Sequence, residues 1–287
     1  MARLLAYWGR HMAGAPALLE LPEALTRPER PDPRGAAVER WVAGPLVHEL
    51  NALARRESAT QFMVLLAAFQ VLLAARTGTW DVVVGTDIAG RSRSETEGLI
   101  GFFINQLALR TDLSGDPTFR ALLGRVREVA LGAYAHQDLP FERLVEELKV
   151  PRDLRHAPVF QVKLVLQNAP QAALDLKGVA LRTVAVEPET SQLDLNLRVL
   201  ATAGGLHLSM AYSTAVYNAS TIERLLTQFE TLLRASVERP EAHLSELAAE
   251  LTAADRSRQA ERDAELRAAG RAKLRNVRRQ AAAGQGS

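Results

Sequence analysis

The chain has 287 residues, 47% hydrophobic and 24% charged, and contains no cysteine. That length holds one large domain or two small ones with ample material for a core. Without cysteine there are no disulfides, zinc–thiolate sites, iron–sulfur ligands or cysteine nucleophiles, and a reducing, cytoplasmic setting is expected.

The longest apolar run, Phe62 to Ala75 interrupted by Gln70, is fourteen residues. A bilayer span needs roughly 18–20, so the run reads as a buried core helix and no membrane partner is expected. The opening Met1–Trp8 turns polar too soon for a leader peptide. Net charge is +2 but unevenly placed: Thr252–Ser287 carries nine Arg and Lys against four acidic residues, which leaves the preceding body at −3. No basic face interleaved with aromatics accompanies it, so nucleic acid is not an expected partner.

In chain order, prolines at 22, 28, 31 and 33 make residues 21–35 an extended strap. A strand at Val38–Ala43 and a helix from Pro45 to Arg56 follow. Thr60 caps a helix through Ala75, and Asp81–Gly85 is a short β-branched strand. A strand at Phe103–Thr111 precedes helices opened by Pro117, to about Ala135, and by Pro140, to about Leu148. Strands are expected near 159–166, 179–186 and 193–201. Ala203-Gly204-Gly205 then turns the last of these into a hairpin with Leu206–Tyr212. Asn218 or Ser220 caps a helix to about Val237, and the Ala/Arg/Glu-rich stretch 253–280 favours a helix with little to bury. This grammar is α/β, with one layered domain at 1–250 and a basic tail at 251–287.

The chemistry is sparse. There is no Gly-x-Ser-x-Gly elbow and no Gly-rich phosphate or dinucleotide loop, and Ser92 and Ser94 have no local support as nucleophiles. None of the six histidines shares an i, i+2 or i, i+4 spacing with another, so no metal site is expected. The richest polar cluster, His136-Gln137-Asp138 before Pro140, allows a general base with an orienting carboxylate. It equally allows a junction histidine bonded to backbone, with Asp138 capping the next helix. Asp87 to Arg93 leaves a strand's carboxyl end, where α/β proteins place ligands, or is a solvated loop turned by Gly90. Asn105, a polar residue in an apolar strand, must find partners and can order a loop or line a channel.

Four segments in order carry a resemblance. They are Val84-Gly85-Thr86-Asp87-Ile88-Ala89-Gly90-Arg91, Ile100 to Arg110, His136-Gln137-Asp138-Leu139-Pro140-Phe141-Glu142, and Arg152 to Gln161. Together they resemble successive motifs of nonribosomal peptide synthetase condensation domains. Tyr7-Trp8, Ala13-Gly14-Ala15-Pro16 and Leu19-Glu20-Leu21-Pro22 resemble the stretch that enters that family's second lobe.

The resemblance implies an α/β, chloramphenicol-acetyltransferase-like lobe, a mixed sheet packed with helices, followed by a helical tail. It implies amide formation between substrates on 4′-phosphopantetheine arms of peptidyl or aminoacyl carrier proteins, with no cofactor bound directly. The family's His-His-x-x-x-Asp-Gly belongs to the first lobe and is absent here, so no catalytic residue is assigned. Asp87, Arg91, Asn105, His136, Gln137, Asp138, Gln192 and Asp194 are then wall-lining or bracing residues. Thr86-Asp87 and Gly90 depart from the Thr-Pro and Asn more usual in the family.

Two function classes follow. One is a second lobe completed by a first-lobe polypeptide and inactive without it. The other is a non-catalytic platform that recruits a carrier or a tailoring enzyme such as an oxygenase. Arg271, Lys273, Arg275, Arg278 and Arg279 form a candidate docking segment for acidic partners, or a solvated linker.

Overall fold

A computed structural model describes residues 1–256 apart from 31, 92, 93, 151, 152, 168–188 and 203. Its elements run α1 (Ala2–Met12), β1 (Gly35–Ala43), α2 (Gly44–Arg56), α3 (Gln61–Thr77), β2 (Asp81–Ile88), the one-turn α4 (Ser94–Glu97), β3 (Asn105–Asp112), α5 (Phe119–Tyr134), α6 (Phe141–Leu148), β4 (Val162–Gln167), β5 (Leu195–Thr202), β6 (Gly205–Ser213) and α7 (Ala219–Glu238). The chain divides into two compact units, Met1–Leu244 and Ser245 onward; residues 245–256 of the second are helical. The strand expected at 179–186 and the docking residues Arg271, Lys273, Arg275, Arg278 and Arg279 lie outside the described residues.

The six strands form one mixed sheet in the order β1-β6-β5-β4-β2-β3. Strand β4 runs parallel to both β2 and β5, and the other neighbours are antiparallel. Alternation decides the faces. Val42, Leu197, Val199, Leu208 and Met210 are fully buried against a helical layer built from α2, α3, α5 and α7.

Helix α3 is the centre of that layer. Its residues Met63 to Ala74 are all buried, each large side chain contributing roughly 1.5–3 kcal/mol. Thr60 Oγ1 accepts from the Met63 N–H at 3.3 Å, and Gly78, at φ +71°, ends the helix with its N–H on Ala74 O. Phe69 meets Phe229 of α7 edge-on at 5.8 Å. Among the described residues, no single helix is long and apolar enough to cross a membrane.

The far edge of the sheet is closed by α1, a helix the sequence reading does not anticipate. Trp8 and Met12, four apart on one face, are buried. Trp8 Nε1–H donates to His136 O at 2.9 Å, and His11 Nε2 accepts the outward N–H of Arg110 on β3 at 3.3 Å. That side-chain cap blunts an edge strand.

The proline-bearing strap forms no helix among the described residues, turns at Leu21–Ala24 where Ala24 N–H donates to Leu21 O at 3.0 Å, and is tied to the sheet. Leu19 N–H donates to Gln161 Oε1 at 2.8 Å. Arg27 grips Asp194 with both terminal nitrogens, while its Nε donates to Glu20 at 2.7 Å. The Arg27 and Asp194 side chains are both nearly buried. Asp194 and Glu20 hold the Arg27 guanidinium above its ordinary range despite the cost of burial.

Candidate functional site

The side of the sheet turned away from α3 is polar in the β1, β6, β5 and β4 half. Pairing register lays it out in rungs. Ala37, Ala211, Asn196, Lys163 and Gly85 form one; Glu39, Ser209, Arg198 and Val165 the next; Trp41, His207, Leu200 and Gln167 the third. Phe141 of α6, the 157–160 turn and the 190–193 segment wall this face into a cavity of about 970 Å³. That is the upper end of the range for small-molecule sites.

The turn at 157–160 is strained. Val159, β-branched and buried, sits at φ +70° while Phe160 N–H donates to Pro158 O at 2.8 Å. This is the rare form of three-residue turn, costing on the order of 1–3 kcal/mol. It throws the Phe160 ring across Gly85, where an added Cβ would overlap the ring. Phe141 packs on Phe160 at 5.2 Å. Gly85 is therefore required by a close approach, not by backbone conformation.

Asp87 lies within β2, not in the loop after it as the sequence reading has it, because β2 stays paired with β3 as far as Ile88. Lys163 Nζ donates to its two carboxylate oxygens at 3.1 and 2.9 Å, and Gln106 Nε2 to one at 3.2 Å. Lys163 and Gln106 line the cavity, and Asp87, on the same face of the sheet, holds both in place. Gln192 lines the opposite wall; Ser191 beside it anchors that segment, its N–H donating to Pro33 O at 2.8 Å. Asp194 is a strap anchor.

Arg91 is separate from the cavity. It donates to Thr96 O and stacks 4.3 Å over the Phe103 ring. Gly90, at φ +63°, packs so tightly under Phe103 O that no side chain fits.

The His136 cluster is a brace. His136 Nδ1 is 2.8 Å from Gly132 O, its ring lies flat on Tyr7 at 3.9 Å, and its carbonyl receives Trp8. Asp138 does not cap α6, whose cap at Pro140 makes no side-chain bond. That expectation is corrected by Asn105, which reaches in from β3. Its Nδ2 donates to Gln137 O and Leu139 O at 2.9 and 2.8 Å, and its Oδ1 accepts from Phe141 N–H at 3.0 Å and Gln106 N–H at 2.9 Å. Of the two roles open to Asn105, it orders the loop.

Sequence reasoning missed Lys163, Gln106, Arg198, Glu39 and His207. Period-two alternation from Leu195 and Leu206 carries the signal for Arg198 and His207, since it assigns both to the face opposite the core.

A sequence profile described as "Condensation domain" matches residues 1–257. The chain belongs to the condensation-domain family. Over 233 residues, 80% of its length, this condensation-domain chain is 49% identical to a linear gramicidin synthase of Brevibacillus parabrevis, and it spans 5% of that protein. Among solved structures it is similar to the X-domain from teicoplanin biosynthesis, at 27% identity and a TM-score of 0.79. The match covers 85% of this chain and 56% of that one. It is also similar to a chain in the complex of that X-domain with OxyB, at 26% identity and a TM-score of 0.77, covering 85% and 55%. The mixed sheet with its helical layer is thus the expected α/β, chloramphenicol-acetyltransferase-like architecture of condensation domains.

Proposed function

We propose that these residues are the second lobe of a nonribosomal peptide synthetase condensation domain. The open sheet face forms one wall of the tunnel in which two carrier-borne 4′-phosphopantetheine arms meet for amide formation. The observation that carries this reading is the 970 Å³ cavity on the unpacked, polar half of the sheet, flanked by the strained Val159 turn. The match to little more than half of the X-domain chain supports a single lobe. So does the segment 98–104, whose Leu99, Ile100, Phe102 and Ile104 are all exposed; such a row is what a companion lobe would cover.

On this reading the lobe shapes and orients but moves no proton. An amide-forming site needs a group to manage the proton of the attacking amine. Of the two histidines within the family segments, His136 is held by Gly132, Tyr7 and Trp8, and His156 Nδ1 lies 3.1 Å from Ala157 O. The lobe is inactive by itself.

The OxyB complex supports a second reading, a non-catalytic platform that holds a carrier or an oxygenase. Titrating the ¹⁵N-labelled chain with a pantetheine amide and mapping shifted resonances separates the two. The tunnel wall requires shifts at Lys163, Asn196 and Ser209. Shifts confined to the helical layer, or binding of an oxygenase with none on the sheet face, would overturn it in favour of the platform.

A further inference from the structure

Among the described residues that line this cavity, one charged side chain has no close polar partner. Lys163 is held by Asp87, and Glu39 has His207 Nε2 at 3.4 Å. Arg198 lines the same cavity from the centre of β5 and is exposed, with no ion-pair or hydrogen-bond partner among the described residues. Glu39 shares its rung, but Ser209 on β6 stands between them. Two strand spacings set their backbones about 10 Å apart, and no ion pair forms between them. Two residues back along the same face, Asn196 Oδ1 is buried and accepts no hydrogen bond from the described residues. A forked cation and an orphan acceptor thus sit side by side above a floor that Leu200 makes partly apolar.

We propose that Arg198 is a specificity-determining residue of this wall, selecting carrier-borne substrates that present an anionic oxygen group. The planar guanidinium fits a carboxylate or phosphate through two parallel hydrogen bonds, and Asn196 Oδ1 receives a neighbouring amide N–H. A carboxylate on the acyl side chain and the phosphate of the arm share this chemistry. The inference rests on the tunnel-wall reading.

Three probes test it at low salt: pantetheine carrying glutamine through a stable amide, the same with glutamate, and phosphopantetheine carrying glutamine. The glutamate probe should bind at least fivefold tighter than its glutamine counterpart. Arg198→Gln should bring that ratio to about one, and Arg198→Lys should retain part of it. Gain by the phosphate probe alone, lost in Arg198→Gln, supports the role of Arg198 and assigns the anion to the arm. Equal affinity for all three, or a preference unchanged in Arg198→Gln, overturns the role of Arg198 while leaving the wall in place. No shift at Lys163 or Ser209 with any probe instead removes the wall reading, and this inference with it.

Discussion

Asn105 Oδ1 accepts the first amide of helix α6, Phe141 N–H, at 3.0 Å, a side-chain cap supplied from a strand 36 residues upstream. Its Nδ2 meanwhile holds the carbonyls of Gln137 and Leu139. Asn105→Ala should therefore leave several part-buried backbone groups without partners. The expected loss is about 2–3 kcal/mol in urea denaturation, with faster amide exchange at the start of α6. Asn105→Asp keeps the acceptor, loses both donations and should fall between.

His11 gives the fold a pH dependence. Burial pushes its pKa below the ordinary value, opposed by a backbone hydrogen bond at Ala108, reinforced by the Arg110 guanidinium and opposed again by Asp81. Tyr7 stacks beside it at 5.6 Å, and Nε2 accepts Arg110 N–H, which requires the unprotonated nitrogen. Below about pH 6.5 the unfolded chain binds a proton that the folded chain resists, so stability is full above that pH and falls as acid is added. Denaturation midpoints between pH 7.5 and 5 should decline in the native chain and decline less in His11→Gln.

Gly85→Ala tests the cavity floor. The new methyl would strike the Phe160 ring, and the strained turn that holds the ring leaves it little room to yield. A destabilisation of about 1–3 kcal/mol is expected. In a Phe160→Ala background Gly85→Ala should cost less than it does in the native chain, since the clash is gone.

The exposed segment 98–104 separates stability from assembly. Ile100 and Phe102 are almost wholly solvent-facing, so Ile100→Asp and Phe102→Asp should shift stability by no more than about 0.5 kcal/mol. Affinity for a first lobe, measured by calorimetry, should fall at least tenfold. Unaltered affinity would assign the contact to another surface.

Elements whose signals are local are legible in the sequence. The Thr60 cap, the run buried in α3 and the β5–β6 hairpin at Gly204-Gly205 each depend on residues within a few positions of one another. Tertiary partners are not. Asp138 is well spaced to cap α6 and loses that role to Asn105, because a strand end arrives in the loop from outside it. Asp87 reads as a loop residue until Lys163, 76 positions on, holds it against the sheet. Helix α1 carries its evidence in Leu4, Leu5, Trp8 and Met12, spaced three and four apart, but so short a run shows its partner only once Trp8 is seen bonded to His136 O and Tyr7 stacked on the His136 ring.

The reaction itself tests the proposed division of labour between two lobes. Two loaded carriers are mixed with the purified chain, alone and then with a first lobe bearing His-His-x-x-x-Asp-Gly, and dipeptide is followed by mass spectrometry. The chain alone should give no more product than buffer, the pair should give amide, and His136→Ala should affect the pair only through its stability. Multiple turnovers by the chain alone, abolished by His136→Ala in a protein that still unfolds at the native midpoint, would contradict the account.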